Sequence, residues 1–464
     1  MISRFVFIVV MCSAAGALAA PPAKPNVLFI AVDDLRDWVG YLKQNPQTRT
    51  PNIDRLAARG VAFTRSYCAA PVCNPSRAAL MSGLRPSTTG VYDNGNDWRT
   101  VIPPEKMLTT TFRNAGYFVA GAGKIYHGAY DRTSEYDDYS LGGGAGKGRK
   151  AAPEAKKIVG DSDGVGGIRF APLAGGDDAL PDYHIASYVI DQLGKTHDKP
   201  FFLACGLHKP HMPWNVPQRY FDLFPLESIQ LPPTLKDDLA DLPPAGVQFA
   251  KPQGDHAKMV ESGRWKEAVR AYLASIAYTD MNVGRVLDAL DKSPHKDNTI
   301  VVFWGDHGWH LGEKEHWRKF ALWEESTRSP LIVVAPGVTK AGGVSGRTVD
   351  FMSLYPTLCD LAGIAIPKHV EGASLKPLLQ NPDAEWAHPA VTTYKFNNHT
   401  VRTEQFRYIR YANGDEELYD HAADPNEWKN LAADAKYAEV KARLAGHLPK
   451  TNHKDIGNSG KAQD

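Results

Sequence analysis

Four pairs of ionisable residues in this sequence could act together on a charged substrate. They are Asp33 with Asp34, Lys124 with His127, His208 with His211, and Asp306 with His307. Adjacent carboxylates repel each other unless a cation or a proton lies between them. Asp33, Asp34 and Asp306 would supply hard oxygen ligands for a divalent metal, with His307 beside them as a further donor. For Asp33 and Asp34 alone, helix capping plus solvation is an equal reading; with Asp306 and His307 alongside, a metal is the better one. Taken singly, Lys124 and Lys319 read as surface lysines and His127 as a loop histidine, so their case rests on convergence.

One cysteine also needs an explanation. The chain contains Cys12, Cys68, Cys73, Cys205 and Cys359, with no metal-type C-x-x-C pair among them. Cys73 opens the run Cys73-Asn74-Pro75-Ser76-Arg77-Ala78-Ala79-Leu80-Met81-Ser82-Gly83. Pro75 suits the first turn of a helix and Gly83 its end, which puts Cys73 at a helix N-terminus. The free N–H groups and the dipole there favour an anion, and Arg77 adds a positive charge one turn on. A buried structural cysteine is one alternative. A thiolate nucleophile is another, although several carboxylates nearby would raise its pKa and blunt it.

These groups need a scaffold that brings them together. Short apolar runs alternate with helical patterns, which predicts an α/β fold whose large, mostly parallel sheet is sandwiched by helices. Strands are expected at Val27 to Val32, Tyr117 to Ala122, Phe201 to Cys205, Thr299 to Trp304 and Leu331 to Val334. Helices are expected at Asn52 to Arg59, Trp265 to Leu290 and Asp350 to Leu361. Each of the first four strands is followed directly by one of the four ionisable pairs. In open α/β sheets ligands bind beyond the carboxyl ends of the strands. Residues 141–180, rich in glycine, alanine and charge, read as a long surface loop, mobile or lid-like. Pro225 to Gly254 reads as a proline-rich, irregular connection. After about Pro382 the texture changes. Thr392 to Tyr394, His399 to Thr403 and Phe406 to Tyr411 look like short antiparallel strands, with a turn at Asn413-Gly414 and a C-terminal helix beyond. The expected domains are a catalytic domain over 21–382 and a small α+β subdomain over 383–464.

Cys73-Asn74-Pro75-Ser76-Arg77, continuing to Ser82-Gly83, resembles the C-x-P-S-R signature of the type I, formylglycine-dependent sulfatases of the alkaline phosphatase superfamily. Asp33-Asp34-Leu35-Arg36, Gly123-Lys124-Ile125-Tyr126-His127, His208-Lys209-Pro210-His211 and Asp306-His307-Gly308-Trp309 resemble family motifs in family order. So does Glu417-Leu418-Tyr419-Asp420 with Asp424-Pro425. The His208 to His211 block, Trp309, and Lys319 within Trp317-Arg318-Lys319 are most similar to the iduronate-2-sulfatase branch. The stretch 141–180 matches no family pattern.

The resemblance implies an alkaline-phosphatase-like fold and hydrolysis of a sulfate ester. It implies that a maturation enzyme converts Cys73 to Cα-formylglycine, and that Asp33, Asp34, Asp306, His307 and residue 73 hold one Ca2+. By the same resemblance a hydroxyl of the hydrated aldehyde attacks sulfur, with Asp306 as base. His208 and Lys319 would bind the sulfate and protonate the leaving oxygen, and His127 would then take the proton of the second hydroxyl. Lys124 and Arg77 would hold the anionic oxygens and the hydrated aldehyde. His211 is placed on the substrate side, with a structural role as the alternative. Trp309 is placed as a sugar-stacking residue, with a loop anchor as the alternative.

Composition bounds the rest. A chain of 464 residues suits one large domain with a small one. The formal net charge of +1 provides no bulk field for nucleic acid or an anionic membrane. Hydrophobic residues at 43% and charged residues at 23% match a soluble globular enzyme. Arg4, the apolar run Phe5 to Ser13 and Ala17-Leu18-Ala19 read as a secretory signal peptide over 1–20, an uncleaved anchor being the alternative. That run is too short for stable membrane insertion, so the mature chain is expected to be secreted, in a bacterial periplasm or outside the cell. Export permits disulfides among the remaining cysteines without requiring them. The expected substrate is a sulfated carbohydrate, a uronic-acid- or galactan-containing polysaccharide or its oligosaccharides. Two rivals stand beside this reading. One is a phosphatase or phosphodiesterase of the same superfamily; Cys73, and lysines where a second metal would need ligands, argue against it. The other is a non-catalytic glycan-binding protein on this scaffold.

Overall fold

A computed structural model describes residues 24–140 and 164–459 of the chain. The expected signal peptide with Cys12, and residues 141–163 of the glycine-rich stretch, lie outside the described residues.

The main sheet is built from β1 (Asn26–Val32), β2 (Val61–Tyr67), β3 (Phe118–Gly123), β4 (Asp138–Ser140), β5 (Phe201–Leu207), β6 (Thr299–Gly305), β9 (Leu331–Val334) and β10 (Gly343–Asp350), with the two-residue strands β7 (His310–Leu311) and β8 (Trp317–Arg318) forming a separate ribbon. The order across the sheet is β10-β2-β9-β6-β1-β5-β3-β4. All pairings are parallel except those of β9, which runs antiparallel to both β2 and β6.

β1 is buried along its whole length, as expected of a central strand covered on both faces. Alternate side chains point to opposite sides of the sheet. Leu28, Ile30 and Val32 enter one core with the helices Trp265–Lys292 and Pro181–Leu193. Val27, Phe29 and Ala31 enter the other with the helices Cys73–Ser82 and Leu354–Leu361. The strands predicted from continuous apolar runs are all present.

Several expectations are corrected. β2 and β10 have no counterpart in the sequence reading, because Thr64, Arg65 and Ser66 interrupt one and Ser345, Arg347 and Thr348 the other. Both lie toward one edge of the sheet, where Thr64, Arg65 and Arg347 are partly exposed while Ser66, Ser345 and Thr348 are buried as polar residues. The helix expected from Asp350 starts at Leu354, because Asp350 closes β10 and a short 3-10 turn, Phe351–Ser353, intervenes. Residues 164–180 are not a surface loop throughout: Ile168 and Phe170 are 0% and 4% exposed, and the Trp214 backbone N–H donates to the Arg169 carbonyl at 2.8 Å. The irregular connection Pro225 to Gly254 carries a helix, Pro244–Ala250.

A separate antiparallel sheet, β11 (Ala390–Thr393), β12 (His399–Arg402), β13 (Phe406–Arg410) and β14 (Glu416–Asp420), follows in simple up-and-down order. Val391, Val401, Tyr408 and Leu418 pack with Leu444 of the helix Ala438–Ala445. Ile409, Tyr411 and Tyr419 pack with Ala321, Leu322 and Trp323 of the main unit. Arg407, fully buried, pairs with Glu324 across this junction and with Glu427 on its own side of it. Among the described residues no helix is long and apolar enough to cross a membrane.

Candidate active site

The parallel strands β6, β1, β5 and β3 are immediate neighbours, so their carboxyl ends deliver the four ionisable pairs to one place. The hydrogen-bond ladder continues past the strand ends. Asp33 N–H donates to the Leu207 carbonyl at 3.1 Å, Asp306 N–H to Val32 at 3.0 Å, and Lys124 N–H to Gly206 at 2.8 Å. Gly206 permits the last of these, since a Cβ there would lie 2.4 Å from the Lys124 carbonyl carbon.

The helix Cys73–Ser82 enters from the other side, with Cys73 as its first residue and Gly83 closing it in left-handed backbone (φ 70°). Pro75 falls in the first turn, where no intrahelical N–H bond is lost. Ser76 and Arg77 bolt this helix to the strand ends. Ser76 Oγ donates to the Asp306 carbonyl at 2.6 Å. Arg77 Nε donates to Asp306 Oδ2 at 3.0 Å and Nη2 to Asp33 Oδ1 at 3.2 Å, while Nη1 donates to the Lys124 carbonyl. Cys73 is thereby held against the carboxylates, and its Sγ lies 3.0 Å from Lys319 Nζ and 3.3 Å from His307 Nε2.

Lys319 arrives on the segment after β8. Arg318 and Phe320, on either side of it, both take left-handed backbone (φ 73° and 79°), which places a non-glycine chain under local strain of about 1 kcal/mol or more per residue. The Lys319 ammonium also donates to Asp34 Oδ1 at 2.8 Å and sits 5.5 Å from the centroid of the Trp309 ring. Lys124 Nζ donates to Asp33 Oδ2. Asp34 N–H donates to Asp306 Oδ1 at 2.9 Å, so one aspartate backbone fixes the other side chain.

The electrostatics follow from burial inside this ring of opposite charges. Burial alone would push Asp33 up, but Lys124, His211 and Arg77 hold its carboxyl well below the usual range. Burial and Lys319 act against each other in the same way at Asp34, which ends below its ordinary value. Asp306 ends above its ordinary value, because burial outweighs His307 and Arg77. Burial, reinforced by Asp33, pushes the Cys73 thiol well up despite Lys124 and Lys319, so it is no thiolate nucleophile. Burial, with Lys124 beside it, pushes His127 down to about 2 and leaves a neutral imidazole. Burial likewise takes His211 down to about 4, against the pull of Asp34.

The residues fit a divalent cation. Ligand atoms of Asp33, Cys73, Asp306 and His307 lie within 4.8 Å of one another, as do those of Asp33, Asp34, Cys73 and His211. Asp34 Oδ2 is buried with no hydrogen-bond partner. His307 Nδ1 lies 3.0 Å from the Gly308 carbonyl, which directs Nε2 toward Asp34 Oδ1 at 3.4 Å and Asp306 Oδ2 at 3.5 Å. A metal-ligating histidine is oriented in this way, its other ring nitrogen donating to a backbone carbonyl.

The mouth of the site carries the more exposed groups. The His208 side chain is 43% exposed, and His211 Nε2 lies 3.9 Å from Asp34 Oδ2. Trp309 does not present a face there. It is 1% exposed, packs edge-on against Trp214 at 5.9 Å and backs Lys319, so the sugar-stacking role is replaced by that of a buried anchor. The sequence reading missed two acids that the fold adds. Asp182 holds His208, and its only trace in the sequence is a Pro181-Asp182 helix start. Asp131, pushed up to about 6 by burial against the pull of His208, follows His127 with no distinctive spacing.

Comparison with known proteins shows the family of the chain. Residues 25–364 match the sulfatase family model, and residues 312–454 match that of the C-terminal part of N-sulphoglucosamine sulphohydrolase. A protein described as a sulfatase from Formosa agariphila is 41% identical over 453 residues, covering 92% of this chain and 87% of its own. Iduronate 2-sulfatase of Mus musculus is 31% identical over 436 residues, covering 82% and 78%. Among solved structures, a 2-O GAG sulfatase superposes with a TM-score of 0.71 at 26% identity, covering 91% of each chain. The chain belongs to the sulfatase family.

Proposed function

We propose that this sulfatase removes sulfate from a sulfated carbohydrate, a uronic-acid- or galactan-containing polysaccharide or its oligosaccharides, using a formylglycine made from Cys73. The observation that carries the proposal is the position of Cys73: its Sγ lies 3.0 Å from Lys319 Nζ and 3.3 Å from His307 Nε2, inside the carboxylate cluster, as a raised and unreactive thiol. A side chain so placed is useful as an oxygen nucleophile and poor as a sulfur one. The relatives named for iduronate and for 2-O glycosaminoglycan sulfate support the substrate class.

In this reading Asp33, Asp34, Asp306 and His307, with residue 73, hold a calcium ion. Bound there, the ion would lower the cost of charge on the attacking oxygen that a hydrated aldehyde at residue 73 would supply. The chain's own groups do the rest. Lys319 and Lys124 flank residue 73 and balance the charge of a sulfuryl group. Arg77 keeps Asp33 and Asp306 apart at fixed geometry. His127, held neutral, accepts a proton, and His208 at the mouth donates one to the leaving oxygen. Export and a formylglycine-generating partner belong to the same proposal.

The test compares a sulfate and a phosphate ester of one aryl group on protein made with and without formylglycine-generating activity. Sulfate turnover that depends on maturation supports the proposal. Phosphate turnover that is faster and independent of maturation refutes it.

A further inference from the structure

His208 is the most exposed of the proposed catalytic groups, yet it is held at two points by one buried carboxylate. Asp182 Oδ1 accepts the backbone N–H of His208 at 2.9 Å and lies 3.2 Å from its Nδ1. Asp182 Oδ2 accepts the backbone N–H of Lys209 at 2.8 Å. The Asp182 side chain is 2% exposed against 43% for His208. It stands in the first turn of the helix Pro181–Leu193, which packs against both β5 and β3, so its position is set by the same strands that set the site.

We infer that Asp182 is the positioning residue for His208, fixing its ring so that Nδ1–H points inward and Nε2 faces the leaving oxygen of the substrate. The inference rests on the proposed role of His208 as leaving-group acid and adds the group that makes that role workable. When the sulfur–oxygen ester bond breaks, its electron pair stays on the leaving oxygen, and sulfur keeps the bond newly formed to the attacking oxygen. The leaving oxygen takes the proton from Nε2 of the imidazolium, and the ring is left neutral with Nδ1–H still donated to Asp182. Asp182 exchanges no proton; it orients the ring, as a carboxylate behind a catalytic imidazole does. An asparagine can turn an N–H toward Nδ1 and so no longer fixes the ring orientation.

Two measurements test this. Matured enzyme carrying Asp182→Asn, His208→Gln or both is assayed on a sugar sulfate, whose alcohol leaving group needs a proton, and on 4-nitrophenyl sulfate, whose leaving group scarcely does. Each single substitution is expected to slow the sugar sulfate by about 10²-fold and the aryl sulfate by less than about tenfold. Adding Asp182→Asn to His208→Gln is expected to cost nothing further, as for two groups acting as one unit. Independently of turnover, the 15N-histidine resonance that disappears in His208→Gln should lose its hydrogen-bonded Nδ1–H character in Asp182→Asn. Equal slowing of both esters by His208→Gln would remove the acid role of His208 itself. Discrimination by His208→Gln with equal slowing of both esters by Asp182→Asn, or an unchanged Nδ1–H resonance, would overturn the inference about Asp182 and leave that of His208 standing.

Discussion

Arg77 Nε donates to Asp306 Oδ2 at 3.0 Å, and neither side chain has any exposed surface. The same guanidinium reaches Asp33 and two carbonyls on the segment after β3, so it joins the ends of three strands to the helix that carries Cys73. Removing it leaves buried carboxylates without their partner, a change that costs about 3–5 kcal/mol. Arg77→Met should therefore lower unfolding stability by that amount in a denaturant titration of the metal-free protein. A loss below about 1 kcal/mol would show that the pairing does not hold the site together.

Asp34 Oδ2 is buried, accepts no hydrogen bond from the described residues and lies 3.9 Å from His211 Nε2, so it is free to ligate a cation. Asp33→Ala and Asp34→Asn are each expected to lose bound metal, by elemental analysis, together with activity. For the wild-type chain, added calcium at about 100 times its dissociation constant should raise stability by about 2.7 kcal/mol through binding to the folded state alone. Unchanged metal content in Asp33→Ala would remove that residue from the ligand set.

Lys319 lies between Asp34 and Cys73, on a segment whose neighbours Arg318 and Phe320 both take left-handed backbone. Lys319→Ala removes a preorganised donor from the position where sulfate charge is held, and should lower kcat/KM by about 10²–10³ on alkyl and aryl sulfates alike. Steady-state kinetics within tenfold of wild type would assign Lys319 to structure.

His399 in β12 is far in sequence from the site residues and reports on the C-terminal sheet. Burial, with Arg410 adding to it, pushes its imidazole from the usual 6.5 down to about 4. Below pH 6.5 the unfolded chain binds the proton more readily than the folded one, so this contribution is full above pH 6.5 and is lost as pH falls toward about 4. Its size is on the order of 3 kcal/mol. Unfolding curves of the metal-free protein across that range should be steeper for wild type than for His399→Gln. Equal slopes would show that another group carries the acid sensitivity.

The reacting end of the fold was legible because its logic is local. An uninterrupted apolar run means a strand covered on both faces, and the residues that follow it belong to the carboxyl edge of the sheet. Asp33, Lys124, His208 and Asp306 could be placed in that way before any contact was known. Cys73 could be set at a helix start from Pro75 and Gly83 alone. What could not be read depends on distant partners. Thr64, Arg65 and Ser66 hide β2, because a strand toward the sheet edge need not be apolar. Ile168 and Phe170 look like stray hydrophobes in a glycine-rich run until Trp214 meets them. Trp309 after His307 looks like an exposed platform, and only the packing of Trp214 and Lys319 closes it off. Asp182 carries no mark in the sequence beyond an acid in a helix's first turn, where such acids are common for reasons of the dipole.

The most direct test of the account is peptide mass spectrometry of residue 73 in protein co-expressed with a formylglycine-generating enzyme, with sulfate release measured on the same preparation. The expected result is the mass of the thiol-to-aldehyde conversion at residue 73, with sulfate release in proportion to the converted fraction. An unmodified thiol in a preparation that still releases sulfate, or full conversion with no release from any sulfate ester, would contradict it.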